Sequence, residues 1–195
     1  MAAAWAALGP ASQDAWESFE VFEAARTGFS EGLATWAAAQ HRTVEATALP
    51  DLDGRAAFVV TFTGERRLEG TAVNDAYAVV VRETSAGLPK LEPFTPSDTI
   101  GLQFVEPGKS DQPTGWTGEQ PVIIGIPDRN TQAWLVIDGS AELVQPTPNA
   151  GQTEDGVELS YLPEGGWRPG RHVVTAYAVY PDGTPAATAT VFDVT

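Results

Sequence analysis

The chain has 195 residues, 43% of them apolar, and its 26 acidic against 11 basic side chains give a formal net charge of −15. This negative charge excludes a free nucleic-acid binder, which needs a basic surface. The absence of cysteine excludes disulfides, thiolate nucleophiles and zinc–thiolate sites, and no apolar run reaches the roughly 18 residues of a membrane-spanning helix.

The N-terminal third carries the pattern of a helical hairpin. Residues 1–10 lack a basic segment, so we expect no secretory leader. Ser12 is the predicted N-cap of a first helix that ends at Gly28, and Ser30 caps a second helix that extends to Val44. Each helix has one apolar stripe at helical spacing.

Aromatic side chains are concentrated in this hairpin. The rings that we select as interface candidates are Trp16, Phe19, Phe22 and Trp36. One interpretation is an ordinary core shared with the strands that follow. The other is that part of the stripe docks onto another subunit, because buried interface centres favour aromatic anchors.

Two strands are predicted after the hairpin, over residues 56–63 and 76–83, since both runs are rich in β-branched and aromatic residues. Residues 64–67 are predicted to turn the first of them, with a short strand near Leu68. Residues 50–54 have the composition of a turn and too few acidic ligands for calcium. We therefore predict an α+β unit over 1–88, with an anchoring role, and a proline-rich linker over 89–98.

The second half has the pattern of an all-β immunoglobulin-like sandwich over 99–195. Residues 108–120 form a polar loop in which Trp116 is predicted to be exposed. The final hairpin turns at residues 181–185, which hold the Pro-Asp-Gly-Thr-Pro sequence. The predicted strands are 99–105, 122–126, 133–137, 141–144, 157–162, 172–180 and 187–194.

The strand after Gly170 is apolar on both of its faces. By analogy with such modules, we assign the face of His172 and Val174 to the sandwich core. The opposite stripe, Val173, Tyr177 and Val179, then has no obvious cover inside the sandwich. We select it as a second interface candidate, to be covered by the first half of the chain or by a neighbouring subunit.

The order of strands and Asp-Gly turns in the second half resembles the immunoglobulin-like modules of bacterial surface proteins and phage virion proteins. Residues 13–19, 39–42 and 48–50 are similar to N-terminal segments of some phage structural proteins, which carry a tryptophan-bearing helical hairpin and a Leu-Pro connector. The residues that carry the first resemblance are Trp134, Val136, Asp138, Gly139, Leu159, Gly170, His172, Val174, Ala176, Asp182, Gly183 and Val194.

Catalytic patterns are missing from the sequence. No Gly-x-Ser-x-Gly elbow, phosphate-binding loop or dinucleotide-binding string occurs, and the two histidines, His41 and His172, have no metal-ligand spacing. His172 is given a structural role at the start of its strand. We therefore expect no enzyme, no cofactor and no metal.

The resemblance implies a structural protein of a tailed-phage virion that decorates or reinforces the capsid, or serves the tail or neck. Its expected partners are a major capsid or tail protein and further copies of itself in a homo-oligomer or symmetric array, with neither nucleic acid nor membrane. It would be assembled in the host cytoplasm and released by lysis. The alternative is a bacterial surface or secreted adhesion module that binds a host-surface glycan or a protein.

Overall fold

The computed structural model shows a largely β protein built from antiparallel sheets. Among the residues that it describes, no helix is long and apolar enough to cross a membrane. The described residues are 2–25, 39–50, 56–68, 71–91, 101–107, 116–153 and 156–195.

The N-terminal helices are shorter than predicted. Helix α1 spans Ala2–Ala7, α2 spans Pro10–Ala15, and residues 19–25 are helical again. The predicted N-cap Ser12 is wrong, because α2 is capped by Gly9 and has Pro10 as its first residue. The predicted continuous helix is also interrupted after α2, where Glu17 takes a φ of 63°. Its predicted end at Gly28 and the predicted second cap Ser30 lie outside the described residues. Ser12 is buried instead, with its Oγ donating to the Leu91 carbonyl at 3.4 Å.

The N-terminal sheet has the strand order β1-β2-β3-β4, with β1 at Gln40–Ala48, β2 at Ala57–Leu68, β3 at Thr71–Glu83 and β4 at Pro89–Leu91. Strand β1 replaces the predicted end of the second helix. Strand β2 continues through the predicted turn at 64–67, because its pairing with β3 is unbroken from Ala57 to Leu68. Residues 89–91, predicted as linker, pair with β3. The rest of that linker and residues 51–54 of the predicted turn lie outside the described residues.

Two further four-stranded sheets follow among the described residues. The distal sheet, in the order β5-β6-β10-β9, holds β5 at Gln103–Glu106, β6 at Val122–Ile126, β9 at Thr147–Thr153 and β10 at Gly156–Tyr161. The central sheet, in the order β12-β11-β7-β8, holds β7 at Gln132–Ile137, β8 at Leu143–Val144, β11 at Gly170–Val179 and β12 at Pro185–Val194. Strand β9 was not predicted.

Tight turns set the register of the central sheet. Between β11 and β12, the Gly183 amide donates to the Tyr180 carbonyl at 2.8 Å, and Gly183 has a φ of 84°. Between β7 and β8, Asp138 and Gly139 have φ values of 49° and 69°, and Ser140 N donates to Ile137 O at 2.9 Å. Positive φ at both central residues defines a type I′ turn, whose twist suits adjoining antiparallel strands.

The central sheet is buried on both faces, so the protein has three layers. One core, which we call the sandwich core, lies between the central and distal sheets and contains Ile124, Leu135, Val174 and Phe192. The second lies between the central and N-terminal sheets and contains Val59, Val80, Val136 and Tyr177. The His172 face of β11 thus lines the sandwich core, as predicted.

Two tryptophans close the sandwich core. Trp116, predicted to be exposed, is buried because its segment bridges to Val194 and its ring packs on Phe192 at 5.5 Å. Trp167 packs edge-on to Phe192 at 5.2 Å. Its backbone N–H donates to Gly118 O at 2.9 Å, which ties two loops together.

Candidate interaction surface

The outward side of the N-terminal sheet, which we call the outer face, carries three cross-strand rows of apolar residues. These rows result from the register of β1, β2 and β3, because directly paired residues point to the same side of a sheet. The rows are Val44, Phe62 and Tyr77; Ala46, Val60 and Val79; and Ala48, Phe58 and Val81, extended by Leu91 of β4.

Large side chains of the outer face are exposed. Val44 is 62% exposed, Tyr77 44% and Phe58 41%. Phe62 and Tyr77 lie beside each other with ring centroids 6.4 Å apart. Contiguous exposed apolar surface of this kind is typical of a contact with another molecule.

Sequence reasoning identified strands β2 and β3 but did not predict the outer face. The signal was present in the runs Phe58-Val59-Val60 and Val79-Val80-Val81, which are apolar at every position. Such a run predicts a strand with apolar residues on both of its faces. One face is covered by the central sheet, and the other is the outer face.

The predicted aromatic stripe of the N-terminal segment packs within the chain. Trp16 and Phe22 are buried, with ring centroids 5.3 Å apart, and Phe19 is half-buried against Trp5. This cluster rests on Leu91, where the Gly9 amide donates to the Leu91 carbonyl at 3.0 Å. The core interpretation therefore holds for Trp16 and Phe22, while a docking role for Phe19 stays a prediction. Trp36 lies outside the described residues.

The second predicted stripe is covered by the chain's own first half. Tyr177 is 0% exposed and stacks on Trp134 at 5.5 Å, and Val179 packs against the same core. Val173 is half-buried. The sequence allowed two covers for this stripe, the first half of the chain or a neighbouring subunit. The N-terminal sheet covers Tyr177, so this ring is not available to a partner, contrary to its selection as an interface candidate.

Polar groups accompany these residues between the sheets. Thr61 of β2 and Thr175 of β11 share a hydrogen bond of 2.7 Å between their hydroxyls. Burial raises the pKa of Tyr177 to about 12, and the charge of the nearby Arg82 opposes that shift. Tyr180 packs against the other core, between the central and distal sheets, and burial raises its pKa to about 12 as well.

An Asp–His pair lies at one end of the sandwich. His172 Nδ1 is 2.8 Å from Asp138 Oδ2, and its Nε2 is 2.8 Å from the carbonyl oxygen of Arg168. The other carboxylate oxygen of Asp138 accepts the Val173 amide at 2.8 Å. Both ring nitrogens are therefore engaged, and the imidazole presents no free nitrogen to a substrate.

In the part of the chain that the structure describes, no three His, Cys, Asp or Glu residues lie close enough together to form a candidate metal site. No protein-family model matches the chain, and no curated protein matches it with significance. The functional argument therefore rests on the outer face and on the way the rest of the surface is built.

Proposed function

We propose that this protein is a non-enzymatic structural protein of a tailed-phage particle and attaches to a capsid or tail protein through its outer face. The observation that carries the proposal is the exposure of Val44 and Tyr77 in the first of the three apolar rows and of Phe58 in the third. Aromatic residues supply large contact area at low entropic cost, so they are favoured anchors of protein interfaces.

The position of the outer face supports an anchoring role for the N-terminal sheet. The opposite face of this sheet is packed on the central sheet, so the outer face points away from the sandwich. A partner bound there would leave the distal sheet on the far side of the molecule. In this arrangement the two packed C-terminal sheets, which we interpret as an immunoglobulin-like module, project from the particle.

The state of the ionisable groups favours binding over catalysis. The contacts of Asp138 and His172 join the β7–β8 turn to β11 and β11 to the carbonyl oxygen of Arg168. Arg171 pairs with Asp193 at 3.2 Å on the exposed surface. These contacts hold neighbouring segments together and engage both ring nitrogens of His172.

The test is a pair of variants that carry equal numbers of apolar-to-polar changes. Phe58→Ser with Tyr77→Ser alters the outer face, and Val105→Ser with Leu162→Ser alters exposed residues of the C-terminal half as the matched control. Both variants should fold, because all four side chains lie outside the two cores and a typical single substitution costs about 1 kcal/mol.

The measurement is quantitative mass spectrometry of purified particles and of the particle-free medium. We expect the wild-type and control chains in the particles and the outer-face variant in the medium. Equal incorporation of both variants would exclude the outer face as the anchor. Recovery of the wild-type chain on the producing cells and not in particles would favour the adhesion alternative.

A further inference from the structure

The hydrogen bonds of His172 are compatible with one charge state. Its Nδ1 faces a carboxylate oxygen of Asp138, and its Nε2 faces the carbonyl oxygen of Arg168, each at 2.8 Å. Both partners accept hydrogen bonds, so each bond needs a proton on the ring nitrogen. Only the imidazolium, which is protonated on both nitrogens, makes the two bonds together.

The surroundings of the ring suit a cation. The His172 side chain is 12% exposed and packs against both Trp167 and Phe192, with ring-centroid distances of 5.1 and 5.7 Å. Aromatic faces attract a nearby cation through their quadrupole. The ring therefore packs on two aromatic neighbours while each of its nitrogens faces a hydrogen-bond acceptor.

Other charged and titratable groups surround this centre on each neighbouring element. The nearest on its own segment are Arg168 and Arg171, and Arg171 is paired with Asp193 of β12. Tyr161 of β10 packs edge-on against Trp167, with ring centroids 6.0 Å apart. Glu45 of β1 lies against Gly139 in the β7–β8 turn, beside Asp138.

The segment held by His172 seals the sandwich core. Residues 162–169 join β10 to β11 and include Arg168, whose carbonyl receives the His172 bond, and the buried Trp167. Trp167 Nε1 donates to Gln120 O at 3.0 Å, and its amide donates to Gly118 O. Loosening the Arg168 end would therefore loosen the contact between this loop and the loop of residues 117–121.

We propose that His172 is a proton-dependent latch on the loop of residues 162–169. With both nitrogens protonated, it ties the Arg168 carbonyl to the Asp138 turn. When the ring loses one proton, Nδ1–H keeps the charged acceptor and a bare Nε2 faces the Arg168 carbonyl, so that end of the loop is released. The latch goes beyond the proposed anchoring role and does not depend on it.

The test exploits the fact that the chain has only two histidines. Ring ¹⁵N shifts measured across a pH series report when His172 changes charge, and amide hydrogen exchange reports the opening of the loop. We expect the protection factor of the Trp167 amide to fall about tenfold over the pH interval in which His172 loses its proton, the order expected for one lost hydrogen bond. Exposed His41 gives an internal reference on the same spectra.

Two variants separate the latch from general pH effects. His172→Gln should remove the pH-dependent step in Trp167 protection, and His41→Gln should leave it unchanged. The proposal would be overturned if the Trp167 protection factor did not change when His172 changes charge. It would also be overturned if His172→Gln showed the same pH-dependent step in Trp167 protection as the wild type. If His172→Gln does not fold, the wild-type series decides alone, because the same coupling must be visible there.

Discussion

The two cores of this protein share the strands β11 and β12 but are built from different side chains. The core between the central and distal sheets is filled by large residues, among them Phe104, Trp116, Ile124 and Phe192. The core between the central and N-terminal sheets is dominated by alanine and valine, with a buried threonine pair at Thr61 and Thr175.

This difference indicates different roles for the two cores. Buried apolar area stabilises roughly in proportion to its extent, so the large rings make the sandwich core the main source of stability. Small and polar residues let the N-terminal sheet lie close to the central sheet, as interfaces between domains do. The sandwich core therefore holds the fold, and the second core orients the outer face.

The largest predicted effect compares one truncation in each core. Phe192→Ala should lower the free energy of unfolding by about 3–5 kcal/mol, because it leaves a cavity among Trp116, Trp167 and His172. Val59→Ala in the second core should cost about 2 kcal/mol, since it removes two buried carbon groups. Urea unfolding followed by circular dichroism measures both, and an equal or reversed order would contradict the difference between the cores.

A smaller effect is expected where loops close the sandwich core. Gly165 and Gly166 both have a φ of 80°, so alanine strains the backbone at either position, at about 1–2 kcal/mol. A Cβ at Gly165 meets no atom within 4 Å, whereas one at Gly166 would collide with the Gly118 carbonyl. Gly166→Ala should therefore cost about 1–3 kcal/mol more than Gly165→Ala. Equal unfolding midpoints for the two variants would show that the loops are not in contact.

The sequence predicted the strands of the sandwich better than the N-terminal segment. Strands β6, β7, β11 and β12 were anticipated because turn residues bound each apolar run. The predicted helix was wrong at residues 40–44. Over so short a run the helix and strand patterns cannot be told apart, and the pairing of β1 with β2 makes these residues a strand. The sequence showed that the face of β11 around Tyr177 is apolar, but it could not show that the N-terminal sheet packs there. The residues of one strand do not specify which other sheet covers them.

The smallest effect concerns the buried hydroxyl of Tyr177. Among the described residues this hydroxyl has no hydrogen-bond partner, so Tyr177→Phe should leave stability at pH 8 within about 1 kcal/mol of the wild type. Above pH 10 the unfolded chain loses the tyrosine proton, while the folded chain keeps it up to about pH 12. The wild type should therefore lose stability between these pH values, and Tyr177→Phe should lose less of it.

The measurement is a pair of urea titrations, at pH 9 and pH 11, for each protein. Tyr180, whose pKa burial also raises to about 12, remains in the variant, so the loss should shrink and not vanish. An identical loss in both proteins would contradict the burial of Tyr177 beneath the N-terminal sheet.

The central claim, that the N-terminal sheet covers the central sheet at Tyr177, is tested most directly by a crosslink. The chain has no cysteine, and the Thr61 and Thr175 hydroxyls are 2.7 Å apart, so sulfur atoms at these positions are within bonding reach. Phe62→Cys with Thr175→Cys is the matched control, because Phe62 points to the outer face. Under mild oxidation we expect Thr61→Cys with Thr175→Cys to form an intramolecular disulfide, seen by mass spectrometry, and the control to keep free thiols. A folded Thr61→Cys, Thr175→Cys protein that stays reduced, or a control that crosslinks equally, would contradict the three-layer arrangement.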